Sequence, residues 1–142
     1  MNGNAELLNF IYQNSQMGVE ALDKLISVSK DNNFNKCLQS QLRGYELINS
    51  KAKNKLNENG YDEKGIGTFV KVQSYIMINI QTMMDKTPSH LAEMLITGSN
   101  MGVIDAIKNI RKYKNAESSI LKLMDELKQF EENNINQLKE FL

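Results

Sequence analysis

The acidic and histidine side chains of this chain offer few arrangements that could carry out chemistry. His90 is the only histidine in the sequence, and with Glu93 it forms a His-x-x-Glu pair near a predicted helix start. Zinc sites in proteins take several side-chain ligands, and no second histidine exists to complete one here. The pair therefore favours a solvated helix end over a metal site.

One acidic pattern occurs twice, each time inside a predicted helix. Glu46-x-x-Asn49 is followed later in the chain by Glu131-x-x-Asn134. Residues three apart lie on the same face of a helix, so each Glu shares a face with its Asn. We assign most of the remaining carboxylates to solvated faces; they include Asp105, Asp125, Glu126 and Glu132.

The composition predicts a single domain covering residues 1–142. The chain is 41% hydrophobic, which is enough to build a core, and its 17 basic residues balance its 17 acidic ones. Zero net charge argues against a nucleic-acid partner, which normally selects a basic surface. No apolar run approaches the ~20 residues of a membrane span. The lone Cys37 and the absence of signal-peptide features at the start predict a cytoplasmic protein without disulfides.

Four long stretches with helical spacing position these residues, and strand patterns are nearly absent. The stretches cover about residues 4–30, 31–60, 87–113 and 115–142, with predicted caps at Asn4, Asp31 or Asn32, Thr87 and Asn115. Between the second and third stretches, residues 68–85 are apolar on almost every side. We therefore predict an all-α bundle with an additional helix over 68–85 that crosses from one end to the other.

An internal repeat relates the two halves of the chain. Ser15-Gln16-Met17-Gly18-Val19 recurs 84 residues later as Ser99-Asn100-Met101-Gly102-Val103. Leu42-Arg43-Gly44-Tyr45-Glu46 aligns with Leu127-Lys128-Gln129-Phe130-Glu131, 85 residues later. Two matches in the same order predict a duplicated helical hairpin, joined by one long crossover. This alignment pairs the two Glu-x-x-Asn motifs.

In this arrangement the chain resembles the ferritin and rubrerythrin superfamily. Rubrerythrin-like chains commonly carry Leu-Leu and then Gly-Glu-Ser-Gln-Ala on the first helix, where this chain has Leu7-Leu8 and then Gln13-Asn14-Ser15-Gln16-Met17. It is most similar to bacterial ferritin-like proteins that share the Met-Gly motif and the crossover helix. The resemblance implies a ferritin-like four-helix bundle of two antiparallel hairpins. In that family, one Glu from each first helix and a Glu-x-x-His from each second helix hold two iron atoms in the core.

The resemblance also implies where the ligands of that iron centre would be. The corresponding positions here are Asn14, Glu46, Asn49, Ser99, Glu131 and Asn134. Only Glu46 and Glu131 retain a carboxylate, and asparagine supplies a neutral oxygen that binds iron weakly. We therefore expect no ferroxidase or peroxidase activity and no cofactor. Binding of iron or manganese through Glu46 and Glu131, with His90 as a further candidate, is the alternative.

Without a metal, the two glutamates have two further interpretations. A buried Glu can be protonated or can bond to an amide, which avoids a costly unpaired charge. We therefore predict that Glu131 pairs with Asn49 and Glu46 with Asn134 across the two hairpins. Simple exposure of Glu46 to solvent is the alternative.

Gly98 and Gly102 lie four residues apart on the third long stretch and have two interpretations. The preferred one is a close approach of the first and third helices, since glycine lets two backbones come near each other. The other is space for a ligand at the family's iron positions. Methionines concentrate around the crossover and the third helix, and this predicts an adaptable apolar surface covered by a second copy of the chain: Met77, Met83, Met84, Met94 and Met101.

Three functions therefore remain open after the sequence has been considered. The leading one is a non-catalytic ferritin-like bundle acting through self-association, as a homodimer, or through contact with another protein. The second is an atypical iron or manganese protein related to rubrerythrin. The third is a binder of an apolar small molecule near Gly98 and Gly102.

Overall fold

The computed structural model describes residues 2–61 and 83–142, and these form four α-helices. They are α1 (Asn4–Val28), α2 (Asn32–Glu58), α3 (Pro88–Lys112) and α4 (Ser118–Lys139). No strand occurs in either described range. The prediction of an all-α structure with four long helices is confirmed. None of these helices combines the length and apolarity needed to cross a membrane.

Two of the predicted helix starts are confirmed by their capping bonds. The Asp31 side chain accepts a hydrogen bond from the Phe34 amide at 2.8 Å. The Thr87 side chain accepts one from the His90 amide at 3.3 Å, with Pro88 as the first helical residue. Each bond satisfies an amide that has no partner within the helix, which fixes where α2 and α3 begin.

The other two predicted caps are wrong by one or two residues. Gly3, at φ 84°, precedes α1, and Asn4 is its first helical residue. Glu117, not Asn115, precedes α4. Asn4 has a different role, because its side chain accepts a hydrogen bond from the Glu117 amide at 2.9 Å. The Asn4 bond therefore joins the start of α1 to the start of α4.

The contacts between helix ends give the direction of each helix. The Asn4–Glu117 bond places the starts of α1 and α4 at one end of the bundle. The Lys55 ammonium donates to the Ser119 hydroxyl at 3.0 Å, so α2 ends where α4 starts. Since a short turn joins α3 to α4, α3 also ends there. The four helices therefore run up, down, down and up.

The connection between the hairpins follows from these directions. Because α2 and α3 are parallel, residues 59–87 join opposite ends of the bundle, as the predicted crossover requires. Of the predicted crossover helix over 68–85, residues 68–82 lie outside the described residues. Residues 83–85 are not helical, so a helix in this connection does not extend to Asp85.

The buried positions show how the two hairpins correspond. In α1 and α3 they match at an offset of 84, as the repeat predicts: Leu7 with Leu91, Leu8 with Ala92, Ile11 with Leu95, Ser15 with Ser99, and Leu22 with Ala106. In α2 and α4 they match at 86: Phe34 with Ile120, Leu38 with Met124, Gln41 with Leu127, Tyr45 with Glu131, Ile48 with Asn134, and Ala52 with Leu138. The predicted offset of 85 is therefore wrong by one residue. Glu131 corresponds to the buried Tyr45, while Glu46 lies on the solvent side.

Candidate functional site

Glu131 lies at the centre of the bundle, in the middle of α4. Its side chain is 2% exposed, and it is the only buried acidic residue of the described ranges. The Asn14 amide of α1 donates a short hydrogen bond to Glu131 Oε1. The Tyr45 hydroxyl of α2 donates to Glu131 Oε2 at 3.2 Å. Three helices thus converge on one carboxyl group, and both of its oxygens have a protein partner.

The fourth helix reaches the same carboxyl group through its backbone. A Cβ atom placed on Gly102 of α3 would lie 2.6 Å from each carboxyl oxygen of Glu131. Real Cβ contacts do not occur at that distance, so a side chain at this position would displace the carboxyl group. Glycine at 102 therefore lets the Glu131 carboxyl group lie directly against the backbone of α3.

Burial changes the acidity of this carboxyl group. Loss of water raises the pKa of Glu131 from its ordinary 4.5 to about 8. The hydrogen bonds from Asn14 and Tyr45 act in the opposite direction, and the negative charge of Asp105 on α3 adds slightly to the increase. At neutral pH the protonated, uncharged form of Glu131 therefore predominates, as expected for a carboxyl group in an apolar core.

Tyr45 completes the polar cluster around Glu131. Its pKa is raised well above the ordinary value, mainly by burial and then by the charge of Glu131. Ser99 and Asn134 lie beside the Tyr45 hydroxyl and partly oppose this shift. The Asn134 Nδ2 atom is nevertheless buried without a hydrogen-bond partner of normal geometry. We define Asn14, Tyr45, Ser99, Glu131 and Asn134 as the core polar cluster.

The structure brings together four of the six positions implied by the family resemblance. Asn14 of α1, Ser99 of α3, and Glu131 and Asn134 of α4 belong to the core polar cluster. Glu46 is exposed, so its predicted pairing with Asn134 is wrong and the alternative of solvent exposure is confirmed. The reason is the one-residue offset, which turns Glu46 by about 100° away from the buried face of α2.

Asn49 also lies away from Glu131. Its Nδ2 atom donates to the Tyr12 carbonyl at 3.0 Å and to the Ser15 hydroxyl at 3.1 Å. The predicted pairing of Glu131 with Asn49 is therefore wrong. Asn49 instead joins α2 to α1 through these two hydrogen bonds. The position beside Glu131 that was predicted for Asn49 is occupied by Asn14.

The predicted metal ligands do not come together within the described ranges. Glu131 is buried and Glu46 is exposed, and His90 lies at the start of α3 beside the exposed Glu93. In these ranges no group of three or more His, Cys, Asp or Glu side chains is close enough to hold a metal ion. Metal binding through Glu46 and Glu131 stays a prediction.

A small pocket of about 30 Å³ opens beside the core polar cluster. Cavities of this size hold roughly one or two water molecules. All four helices contribute to its lining, which consists of Asn14, Met17, Gly18, Ala21, Leu22, Gln41, Tyr45, Leu95, Gly98, Ser99 and Glu131. The pocket is therefore polar around the carboxyl group of Glu131 and apolar elsewhere.

The two glycines of α3 have different surroundings, which corrects the preferred interpretation. A Cβ on Gly98 would meet no atom within 4 Å, and Gly98 lines the pocket. Gly102 is tightly packed, but against Glu131 of α4 rather than against α1. The predicted close approach of the first and third helices at these glycines is wrong. Open space at Gly98 agrees with the alternative of room for a ligand.

Tyr45 is the site residue that sequence reasoning missed, since the sequence identified it only as part of the internal repeat. A signal was present: a buried tyrosine hydroxyl needs a hydrogen-bond partner, and few polar residues were available in the core. Its partner could not be deduced, because the repeat alignment paired Tyr45 with Phe130. Their rings do touch, edge to face, with centroids 4.8 Å apart.

No protein-family model matches this chain, and no curated protein or solved structure shows detectable similarity to it. What can be said of its function therefore rests on the geometry around Glu131.

Proposed function

We propose that this chain is a non-catalytic, ferritin-like bundle that acts through self-association or contact with another protein. One observation carries the proposal: the buried carboxyl group of Glu131 is hydrogen-bonded by Asn14 and Tyr45, in surroundings that raise its pKa to about 8. A carboxyl group in this state stabilises the junction of the two hairpins. In its uncharged form it is a poor nucleophile, a poor base and a weak metal ligand.

The donors in the core support this proposal over a di-iron centre. Carboxylate-bridged di-iron sites use about six ligands, several of them anionic, to offset the charge of two metal ions. Around Glu131 the side chains are amides and hydroxyls, from Asn14, Ser99 and Asn134. A cluster with one ionisable carboxyl group is suited to a structural hydrogen-bond network.

The outer face of α3 supports self-association. Met101 and Ile104 lie one helical turn apart and are 43% and 51% exposed. Neighbouring apolar side chains on a helix surface are stabilised when a partner removes them from water. A second copy of the chain is the partner we propose for this face.

Metal analysis tests the non-catalytic part of the proposal. The protein is purified from cells grown with added iron and manganese, alongside Glu131→Ala and the control Glu46→Ala. We expect no stoichiometric metal in any of the three. Stoichiometric metal in the natural chain that is lost in Glu131→Ala would overturn the proposal.

Light scattering tests the self-association part. We expect a dimer that becomes a monomer when both Met101 and Ile104 are replaced by Glu. Leu47→Glu is the matched control, because Leu47 is 57% exposed on a different helix and should leave the dimer intact. A natural chain that stays monomeric at high concentration contradicts this part.

A second candidate function is the binding of a small molecule. The specific observation in its favour is the pocket beside the core polar cluster, with open space where a Gly98 side chain would lie. A Cβ at position 98 meets no atom within 4 Å, so Gly98→Leu adds a side chain at the edge of this pocket. A ligand that binds the natural chain should therefore bind Gly98→Leu much more weakly.

A further inference from the structure

We propose that the pocket beside the core polar cluster binds a small primary ammonium group, with the Glu131 carboxylate as its counter-ion. The inference rests on the second candidate function, the binding of a small molecule, and specifies its chemical class. It depends on three features of the pocket: the acceptors at its polar end, its size, and its apolar wall.

The polar end of the pocket has acceptors to spare. An ionised carboxylate offers about four lone-pair sites, and Asn14 and Tyr45 use one on each oxygen of Glu131. The Ser99 hydroxyl also lines the pocket and can accept a hydrogen bond. A primary ammonium has three donors and no acceptor, which complements this end.

The charges around the pocket select a cation. No Lys, Arg or His is among the lining residues, and Glu131 is the only carboxylic acid among them. The ionisable groups that act on Glu131 are Tyr45 from α2 and Asp105 from α3, while α1 contributes the neutral Asn14. Asp105 adds negative potential, so an anion is repelled and a cation is attracted.

The remaining lining and the volume limit the size of the ligand. Met17, Ala21, Leu22 and Leu95 form an apolar wall next to the polar end. A volume of about 30 Å³ has room for roughly two water-sized groups, which matches an ammonium and one carbon. A longer alkyl chain would leave through the open space at Gly98.

Binding a cation requires the charged form of Glu131, so the carboxyl proton is released to solvent as the ligand enters. An aliphatic ammonium keeps its own proton well above pH 8, as the lysine side chain does. Since the pKa of Glu131 is about 8, the ionised fraction falls about tenfold for each pH unit below that value. Affinity should therefore rise with pH and level off above about pH 8.

Calorimetric titration with ethylammonium chloride, at about pH 6 and about pH 8.5, tests the proposal. We expect binding at the higher pH and an affinity roughly 50- to 100-fold weaker at the lower pH. Ethanol is the neutral comparison of similar size, sodium chloride controls for salt, and tetraethylammonium controls for volume. None of these three should bind measurably.

Two variants keep the test decisive. Glu131→Gln removes the counter-ion and should abolish binding, while the exposed neighbour Glu132→Gln should bind normally. If circular dichroism shows that Glu131→Gln does not fold, Gly98→Leu decides, because it blocks the pocket at a position with open space. Retained binding in a folded Glu131→Gln, or in Gly98→Leu, overturns the proposal.

The outcomes separate this inference from the function on which it rests. Equal binding of ethanol and ethylammonium overturns the ammonium proposal but leaves a small-molecule pocket. Binding of neither, at about pH 8.5, counts against both.

Discussion

The two hairpins use the same packing arrangement for side chains of opposite character. In the first, Gly18 of α1 faces the Tyr45 ring, and a Cβ on that glycine would lie 2.7 Å from it. In the second, Gly102 of α3 faces the Glu131 carboxyl group at 2.6 Å. The two side chains then meet between the hairpins at 3.2 Å. The two hairpins therefore share the space for a side chain but not its chemistry.

This difference makes one hairpin sensitive to pH and the other insensitive over the same range. The Tyr45 hydroxyl stays protonated at physiological pH, because burial raises its pKa well above the ordinary value. Glu131 loses its proton near pH 8, and its charged form is poorly tolerated in the core. The contribution of Glu131 to the free energy of unfolding should therefore be larger at low pH than at high pH.

The largest expected effect is on the pH dependence of stability. Below about pH 4.5, Glu131 is protonated in both the folded and the unfolded chain and contributes no pH dependence. Between 4.5 and about 8 only the unfolded chain loses the proton, so the free energy of unfolding falls as pH rises. The loss is on the order of 5 kcal/mol by about pH 9 and is constant well above the folded pKa. Glu131→Gln should lack it.

Urea unfolding at several pH values between about 5 and 9 measures this difference. Glu46→Gln is the matched control, because Glu46 is exposed on α2 and should leave the profile unchanged. Parallel pH profiles for the natural chain and Glu131→Gln would show that Glu131 is charged in the folded state.

The next largest effect tests the shared packing of the two hairpins. Gly18→Ala places a methyl group against the rigid, buried Tyr45 ring, and overpacking of this kind costs about 1–3 kcal/mol. Gly102→Ala should cost less, because the carboxyl end of Glu131 can rotate, although it then weakens its bonds to Asn14 and Tyr45. Thermal unfolding of both variants gives the order. A larger loss of stability in Gly102→Ala than in Gly18→Ala would contradict this expected order.

A smaller effect is expected where the hairpins meet. Tyr45→Phe removes the hydrogen bond to Glu131 but keeps the ring, and should cost about 1–2 kcal/mol. Because that bond lowers the pKa of Glu131, its removal should raise the pKa further. Urea unfolding measures the first effect and carbon NMR of the carboxyl group the second. A lowered pKa would contradict the assigned donor.

The smallest effect, of opposite sign, is at Gly98. Its repeat partner is Asn14, and a Cβ there meets open space, so Gly98→Ala should stabilise the protein by up to about 1 kcal/mol through helix propensity. Thermal unfolding measures this effect. A lower unfolding temperature in Gly98→Ala would mean that the space at position 98 is narrower than described.

Much of the fold could be predicted from the sequence because it follows from local periodicity and capping. The caps at Asp31 and Thr87 depend only on neighbouring residues. The offset of 84 between α1 and α3 could be predicted from the repeated Met-Gly segment. The offset between α2 and α4 could not be predicted, because Glu46 and Glu131 look equivalent as letters. The shift to 86 becomes visible only in the packed structure, where buried residues of α2 and α4 correspond at that offset, as Phe34 does with Ile120. The partners of Glu131 were missed because a shift of one residue in this offset decides whether Glu46 or Glu131 is buried.

Titration of the Glu131 carboxyl carbon by NMR tests the central claim most directly. The proposal that Glu131 is an uncharged structural group at the junction of the hairpins requires that it keep its proton through neutral pH. We predict a midpoint near pH 8, with Glu46→Gln and Glu132→Gln used to assign the signal. A midpoint near the ordinary 4.5 would mean that the core holds a charged carboxylate, and would contradict the account.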